Sequence, residues 1–163
     1  MVATVQIVEK NGTAGTNTQK DSGTVRFKNA DNSTVNTSDP MVIPTAGSDF
    51  SFEKWLRLKV TGGTYDNISN LKVYCDGAIG FGTGVTPYIK AVATYATPAE
   101  ATTTTGYTTL VTYTATGALS LGTAAVSGTG EKGSHAVLML KVDSTASPGT
   151  LTGETLTFSY DET

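Results

Sequence analysis

Two residues of this chain, His135 and Cys75, have side chains that could serve as a general base or a nucleophile, and each is the only one of its type. A single histidine excludes a zinc site built from several histidines and leaves at most one base of that kind. His135 opens an apolar segment, so we expect it to be half-exposed at a loop edge. Cys75 falls on the apolar side of an alternating segment, where a thiol is usually an inert apolar group. We therefore predict a protein that is not an enzyme.

The segment GTGEKG, residues 128–133, matches the G-x-G-x-x-G pattern of dinucleotide-binding loops. That pattern needs a strand before it and a helix after it, because the helix amino terminus receives the pyrophosphate. Here a strand pattern follows. We predict no nucleotide site and no other cofactor.

Loop aspartates raise a weaker possibility of a calcium site, since hard cations bind carboxylates and carbonyls that loops present. These aspartates lie beside Asn and Gly, in turns where Asx-turns are the favoured interpretation; they are Asp31, Asp39, Asp66 and Asp76. A hydrolase with two carboxylates across a cleft is the remaining enzyme alternative. No pair of acids in the sequence is singled out for that role.

The composition limits the partners and the compartment. A net charge of -3 and a pI near 5.0 argue against nucleic-acid binding, which needs a basic stripe. One cysteine excludes an internal disulfide and favours folding in a reducing cytosol. The amino terminus lacks the pattern of a signal peptide, and the longest apolar run, residues 136–140, is too short to span a bilayer. We expect no membrane association.

The elements that must position any site are strands, because apolar and polar residues alternate with a period of two. Predicted strands lie around Val5–Ile7, Val25–Lys28, Leu56–Val60 and Leu71–Cys75, and within residues 88–95, 110–115, 135–142 and 155–160. Cys75 is expected on the core face. The cations that alternate with apolar residues are expected on the solvent faces of these strands; they are Arg26, Lys28, Lys54, Arg57 and Lys59.

Turn clusters of Gly, Asn, Asp and Pro separate these strands, and no helical pattern intervenes. The sequence therefore predicts an all-β fold, an antiparallel β-sandwich of immunoglobulin-like or jelly-roll type. A chain of 163 residues is expected to form a single domain, residues 1–163. Residues 11–23 are predicted to be a polar loop or arm, and residues 97–109 are a Thr-rich segment of low complexity.

Candidate partner contacts follow from exposure and composition. Asn17 and Lys20 lie in the predicted polar arm, and Tyr107 lies in the Thr-rich segment. Tyr65 and Trp55 are aromatic residues near loops, and Trp55 is expected to be a core or interface anchor. These five residues form the predicted contact set.

Two segments carry a resemblance to a known class of proteins. Residues 39–77, with the strand EKWLRLKV, a Gly-containing turn and ISNLKVY, resemble small β-rich structural proteins of tailed-bacteriophage virions. Residues 142–162, VDSTASPGTLTGETLTFSYDE, look like the closing hairpin common in immunoglobulin-like sandwiches. Together these segments cover somewhat over a third of the chain.

The resemblance implies a protein made in the host cytoplasm and assembled onto the virion, with no catalytic residues to carry over. A capsid decoration protein fits best: it would bind the outer surface of the major capsid protein shell, as a homo-oligomer such as a trimer, and stabilise that shell. The alternative is a β-sandwich module of a tail or fibre that binds a host receptor or glycan. The sequence does not distinguish head from tail.

Overall fold

The computed structural model describes residues 2–20, 23–78 and 80–163, and strands joined by turns dominate this part of the chain. The only helical element in the described residues is a 3₁₀ turn, Leu110–Thr112. The strands are β1 Val2–Asn11, β2 Thr16–Gln19, β3 Ser48–Phe50, β4 Lys54–Thr64, β5 Ile68–Tyr74, β6 Val85–Val92, β7 Thr108–Thr109, β8 Leu119–Gly122, β9 Gly130–Asp143 and β10 Thr157–Glu162. The predicted all-β class is confirmed.

The strands form two antiparallel sheets. The larger, seven-stranded sheet has the order β2-β1-β4-β9-β6-β7, and β3 also pairs with β9. The smaller, three-stranded sheet has the order β10-β5-β8. Both β3 and β4 pair with β9, and Ser51 bridges the gap between them by donating its amide to the Leu140 carbonyl and accepting the Leu140 amide at its Oγ, both at 2.9 Å.

The apolar core lies between the two sheets. Strand β4 contributes Leu56, Leu58 and Val60, which alternate along one face and are buried. Opposite them lie Leu71 and Val73 of β5 and Cys75, which directly follows that strand, and all three are buried. The predicted facing of both strands is confirmed, including the core position of Cys75. The alternation predicts this facing because successive strand side chains point to opposite sides of a sheet.

Two predicted strands are absent from the structure. Residues 24–28 are irregular, although Val25 and Phe27 do pack against the core. The segment predicted as a strand at residues 110–115 begins instead with the 3₁₀ turn, which buries Leu110. Conversely, the segment predicted as a polar arm contains strand β2, which pairs with β1 through Val8↔Gln19 to Asn11↔Thr16. Its composition of Thr and Asn gave no apolar alternation to detect.

The expected solvent exposure of two cations was wrong, because Lys28 is 1% and Lys54 is 0% exposed. Together with Lys20 and Glu9 they form a buried group, here called the lysine cluster. The Glu9 carboxylate lies 3.0 Å from Lys54 Nζ through Oε1 and 3.5 Å from Lys20 Nζ through Oε2. Buried charges need such partners, since an isolated one costs several kcal/mol.

A long irregular segment, residues 23–43, covers the lysine cluster. Lys54 donates to the Asn32 carbonyl at 2.7 Å, and Lys20 donates to the Ser33 carbonyl at 2.7 Å. Lys28 donates to the side-chain oxygens of Asn32 and Asn36. The lysines therefore hold this segment against one end of the core face, where the small sheet does not reach.

Candidate functional site

The face of the seven-stranded sheet that points away from the core carries an extended group of polar and aromatic side chains, here called the outer face. It is built from residues that alternate with the core residues of β1, β4, β6 and β9, together with one residue of β2 and residues that flank the strands. For example, Lys10 pairs in register with Trp55, and Trp55 with Val137. The members with polar or aromatic contacts are Lys10, Asn17, Glu53, Trp55, Arg57, Lys90, Tyr95, Tyr107, Glu131 and His135.

Glu131 is the centre of the charged half of the outer face. Both of its oxygens accept from Lys10 Nζ at 2.8 Å. Arg57 donates to Oε2 at 3.0 Å, and the Asn17 amide donates to Oε1 at 2.8 Å. Strands β1, β2, β4 and β9 are thus cross-linked through one carboxylate.

This arrangement changes the acidity of Glu131. Partial burial opposes ionisation, but hydrogen bonds from Lys10 and Asn17 and the positive charges of Lys10 and Arg57 outweigh it, so the pKa falls from 4.5 to about 2. A carboxylate that accepts several charge-assisted hydrogen bonds behaves in this way. Glu131 is therefore ionised throughout the physiological range and acts as a fixed anionic anchor.

An aromatic group occupies the middle of the outer face. Trp55, Tyr95 and His135 lie with ring centroids 5.3 to 5.8 Å apart, and Trp55 meets the other two edge to face. Such edge-to-face packing adds to the stabilisation from burial. Tyr95 also donates its hydroxyl to the Gly12 carbonyl at 2.6 Å, which ties the group to the turn between β1 and β2.

His135 is fully buried, so the expectation of a half-exposed residue was wrong. His135 pairs in register with Val92 of β6 and shares a face with Val137, and the rings of Trp55 and Tyr95 on that face cover it. Just before it the pairing of β4 with β9 is irregular: Leu56 faces Ala136 whereas Leu58 faces Lys132, so three residues of β9 bulge opposite Arg57. Burial lowers the pKa of His135, and the charge of Arg57 lowers it further, against the raising effect of its bond to the Val92 carbonyl. The imidazole is thus a neutral packing element.

His135 and Cys75 are not brought together. His135 Nδ1 lies 3.1 Å from the Val92 carbonyl oxygen, whereas the Cys75 thiol lies 3.4 Å from the Leu110 carbonyl oxygen, in the core. Their contacts share no residue. The structure therefore assembles no thiol and imidazole pair.

Glu53 organises the other half of the outer face. Its carboxylate accepts from Trp55 Nε1 at 2.9 Å, from Lys90 Nζ at 3.0 Å and from the Tyr107 hydroxyl. Burial opposes ionisation, but these hydrogen bonds outweigh it and lower the pKa of Glu53. Lys90 Nζ also lies 4.1 Å from the centroid of the Tyr107 ring, a cation–π contact.

Burial and the bond to Glu53 both raise the pKa of Tyr107. Its phenol therefore stays protonated and serves as a donor to the carboxylate. One ring face of Tyr107 is occupied by Lys90, so the residue is already engaged within the fold.

The five predicted contact residues fall in three places. Asn17, Trp55 and Tyr107 lie on the outer face; Asn17 is exposed, and Trp55 is only 3% exposed. Lys20 was expected in an exposed arm but is buried in the lysine cluster. Tyr65 lies apart, where its hydroxyl donates to the Gly128 carbonyl.

The two acids that organise the outer face were not among the residues predicted from the sequence. Glu131 lies inside the glycine-rich segment considered for nucleotide binding, and Glu53 precedes β4. The position of Glu53 could have been predicted. It stands two residues before Trp55, and residues two apart in a strand point to the same face. Pairing of Glu131 with Lys10, which are 121 residues apart, has no local signature.

The loop aspartates do not gather around a common point. Asp76 Oδ1 accepts the Ala78 amide at 2.9 Å, the predicted Asx-turn, and Asp31 accepts from the Asn11 side chain and the Gly12 amide. Within residues 2–20, 23–78 and 80–163, no group of three His, Cys, Asp or Glu side chains is arranged to hold a metal ion. In the same ranges, no helix is long and apolar enough to cross a bilayer.

Comparisons with known proteins gave no match. Neither a protein-family model, nor a curated protein, nor a solved structure is significantly similar to this chain.

Proposed function

We propose that the protein is a non-enzymatic structural component of a tailed-bacteriophage virion, a capsid decoration protein that binds the outer surface of the major capsid protein shell. The resemblance of residues 39–77 and 142–162 to virion proteins supports this proposal, and so does the all-β sandwich. The observation that carries it is the outer face, where a buried framework fixes exposed polar groups at a sheet edge.

That edge is strand β2, which pairs with β1 on one side. Thr16 and Asn17 are exposed there, and Asn17 is fixed by its bond to Glu131. An edge strand offers backbone donors and acceptors to a partner, and polar side chains on it discourage indiscriminate pairing. The β2 edge with Asn17 is therefore the proposed contact with the shell.

Decoration stabilises a shell by mass action, because a protein that binds only assembled subunits shifts the equilibrium away from disassembly. A homotrimer would multiply this effect, since each further contact of a bound oligomer is intramolecular. The protein would be made in the host cytoplasm and reside on the capsid surface.

The proposal is tested by cosedimentation of the purified protein with shells that lack it. Asn17→Arg places a bulky side chain on the β2 edge, and its charge is compatible with the neighbouring Glu131, so the fold should tolerate it. We expect this variant to lose shell binding by at least about tenfold. Ser120→Arg is the matched control, because Ser120 is also exposed on an edge strand, β8 of the other sheet.

Retention of full binding by Asn17→Arg together with loss in Ser120→Arg would move the contact to the three-stranded sheet. Failure of the unaltered protein to bind shells at any concentration would reject decoration altogether.

A further inference from the structure

A cavity of about 780 Å³ lies beside the core, between the seven-stranded sheet and the irregular segments 23–43 and 146–156. Most of its wall is apolar, and the side chains of this part include Val25, Phe27, Leu56, Leu138, Leu140 and Phe158. Its size is within the range of about 300 to 1,000 Å³ typical of small-molecule sites.

One wall of the cavity is cationic. Lys20, Lys28 and Asn36 line it, so the lysine cluster borders the apolar space. Lys28 is 1% exposed, and its ammonium donates to two amide oxygens, Asn32 Oδ1 at 3.1 Å and Asn36 Oδ1 at 2.5 Å. An ammonium has three N–H donors. Among the described contacts, the third donor of Lys28 has no acceptor.

The charges of the lysine cluster do not balance within the described residues. The cluster holds three buried lysines and one buried carboxylate, Glu9, which is shared by Lys54 and Lys20. No described carboxylate forms an ion pair with Lys28. Buried ammonium groups are normally paired with an anion, because amide oxygens alone replace only part of their hydration.

We propose that this cavity binds an amphipathic anion, a molecule with an alkyl body and a carboxylate head. The head pairs with Lys28 at the cationic wall, and the body lies against Leu56, Leu138 and Leu140. Each part of the ligand meets a complementary part of the cavity. This binding activity is independent of attachment to a shell, and it concerns the core side of the large sheet rather than its outer face.

Charge complementarity favours this ligand over the other occupants of an apolar space. A neutral hydrocarbon would leave Lys28 without an anion among the described residues, and an alkyl cation would add to the positive charge of the three lysines. An alkyl carboxylate supplies the missing anion and fills the apolar volume at once.

The test is titration calorimetry of the full chain with dodecanoate, and with dodecyltrimethylammonium and dodecyl maltoside as cationic and neutral probes of equal chain length. We expect binding of dodecanoate in a one-to-one ratio and at least about tenfold weaker binding of the other two. Shortening dodecanoate to decanoate removes two methylenes and should weaken binding about fifteenfold.

Variants locate the site. Lys28→Met should weaken dodecanoate binding at least about tenfold, and Lys28→Arg should retain it. Lys72→Met is the control, since it removes an exposed lysine from the three-stranded sheet. Val25→Trp places an indole in the cavity beside the apolar wall and should weaken dodecanoate binding. Circular dichroism confirms that each variant is folded.

Three results would overturn the proposal: no binding of dodecanoate to the unaltered chain, equal binding of all three head groups, or unchanged binding by folded Val25→Trp. If Lys28→Met does not fold, the comparison of head groups and the Val25→Trp variant still decide the matter. A fourth would be a dimer that Val25→Trp abolishes and dodecanoate leaves intact, because it would assign the cavity to a second copy of the chain.

Discussion

Glu131 and Lys10 form a symmetric ion pair on the outer face, with each carboxylate oxygen 2.8 Å from the ammonium nitrogen. The pair joins β9 to β1 across the intervening β4, because Arg57 of β4 donates to the same carboxylate. One carboxylate and two basic side chains therefore link β1, β4 and β9, which are neighbours in the sheet. Three strands that are distant in sequence are fixed relative to one another.

The stability contributed by this ion pair should depend on pH. The pKa of Glu131 is about 2 in the folded chain and 4.5 in the unfolded chain, so its contribution is complete above pH 4.5 and is lost as the pH falls toward 2. Glu131→Gln lacks this contribution at every pH. We expect its melting temperature to lie below that of the unaltered protein at neutral pH and to converge with it between pH 4.5 and 2. A constant difference across that interval would show that the ionised carboxylate is not the source.

The facing of β4 is tested by two adjacent substitutions. Leu58 is 1% exposed in the core, so Leu58→Asp buries an unpaired charge and should cost about 4 kcal/mol or more. Lys59 lies on the opposite side, in register with Glu131, and Lys59→Asp should cost within about 1 kcal/mol from like-charge repulsion. Urea denaturation measures both. Comparable losses from the two variants would mean that the two faces of β4 are assigned incorrectly.

In the lysine cluster, substitution of Glu9 should destabilise the protein more than substitution of Lys54. Glu9→Gln leaves both Lys54 and Lys20 without a carboxylate and should lower the free energy of unfolding by about 3 to 5 kcal/mol. Lys54→Met should cost less, because Glu9 keeps Lys20. The double variant should cost less than the sum of the single ones, since it removes both members of the pair. Strict additivity in denaturant unfolding would contradict a direct interaction.

The bulge of β9 depends on Gly133. Its φ is +68°, and a Cβ added there would lie 2.7 Å from the Leu121 carbonyl oxygen. Gly128 has a nearly identical φ of +70°, and no described atom lies within 4 Å of its added Cβ. Gly128→Ala should therefore cost about 1 to 2 kcal/mol from backbone strain alone, and Gly133→Ala about 3 kcal/mol or more. Equal losses in thermal melting would show that crowding at Gly133 is relieved without cost.

The side of a strand that faces the core could be predicted from the sequence where the other sheet covers one face of that strand. Leu56, Leu58 and Val60 alternate with polar residues because one side of β4 meets the small sheet. The same rule failed at Lys54, which lies under segment 23–43, and at Lys28, which belongs to that segment. Lys54 is covered by a distant part of the chain, and Lys28 is buried by the irregular course of its own segment, where it bonds Asn32 and Asn36. Local alternation reveals neither.

The candidate sites were predictable only in part. Asn17, Trp55 and Tyr107 were chosen for separate reasons, and all lie on the outer face. Of the acids that organise this face, Glu131 was missed because its partners lie on other strands, and Glu53 was missed although it stands two residues before its partner Trp55. The burial of His135 depends on the rings of Trp55 and Tyr95, which come from other parts of the chain, and the strand pattern that starts at His135 carries no sign of it.

Quantitative mass spectrometry of purified virions, with copy number measured against the major capsid protein, would establish whether the protein decorates the shell. Decoration of the shell predicts that the protein is present in a fixed proportion to the many copies of the major capsid protein. A small fixed number per particle would contradict decoration and indicate a tail, fibre or vertex component. Presence in the infected-cell lysate combined with absence from the particles would contradict any role in the virion.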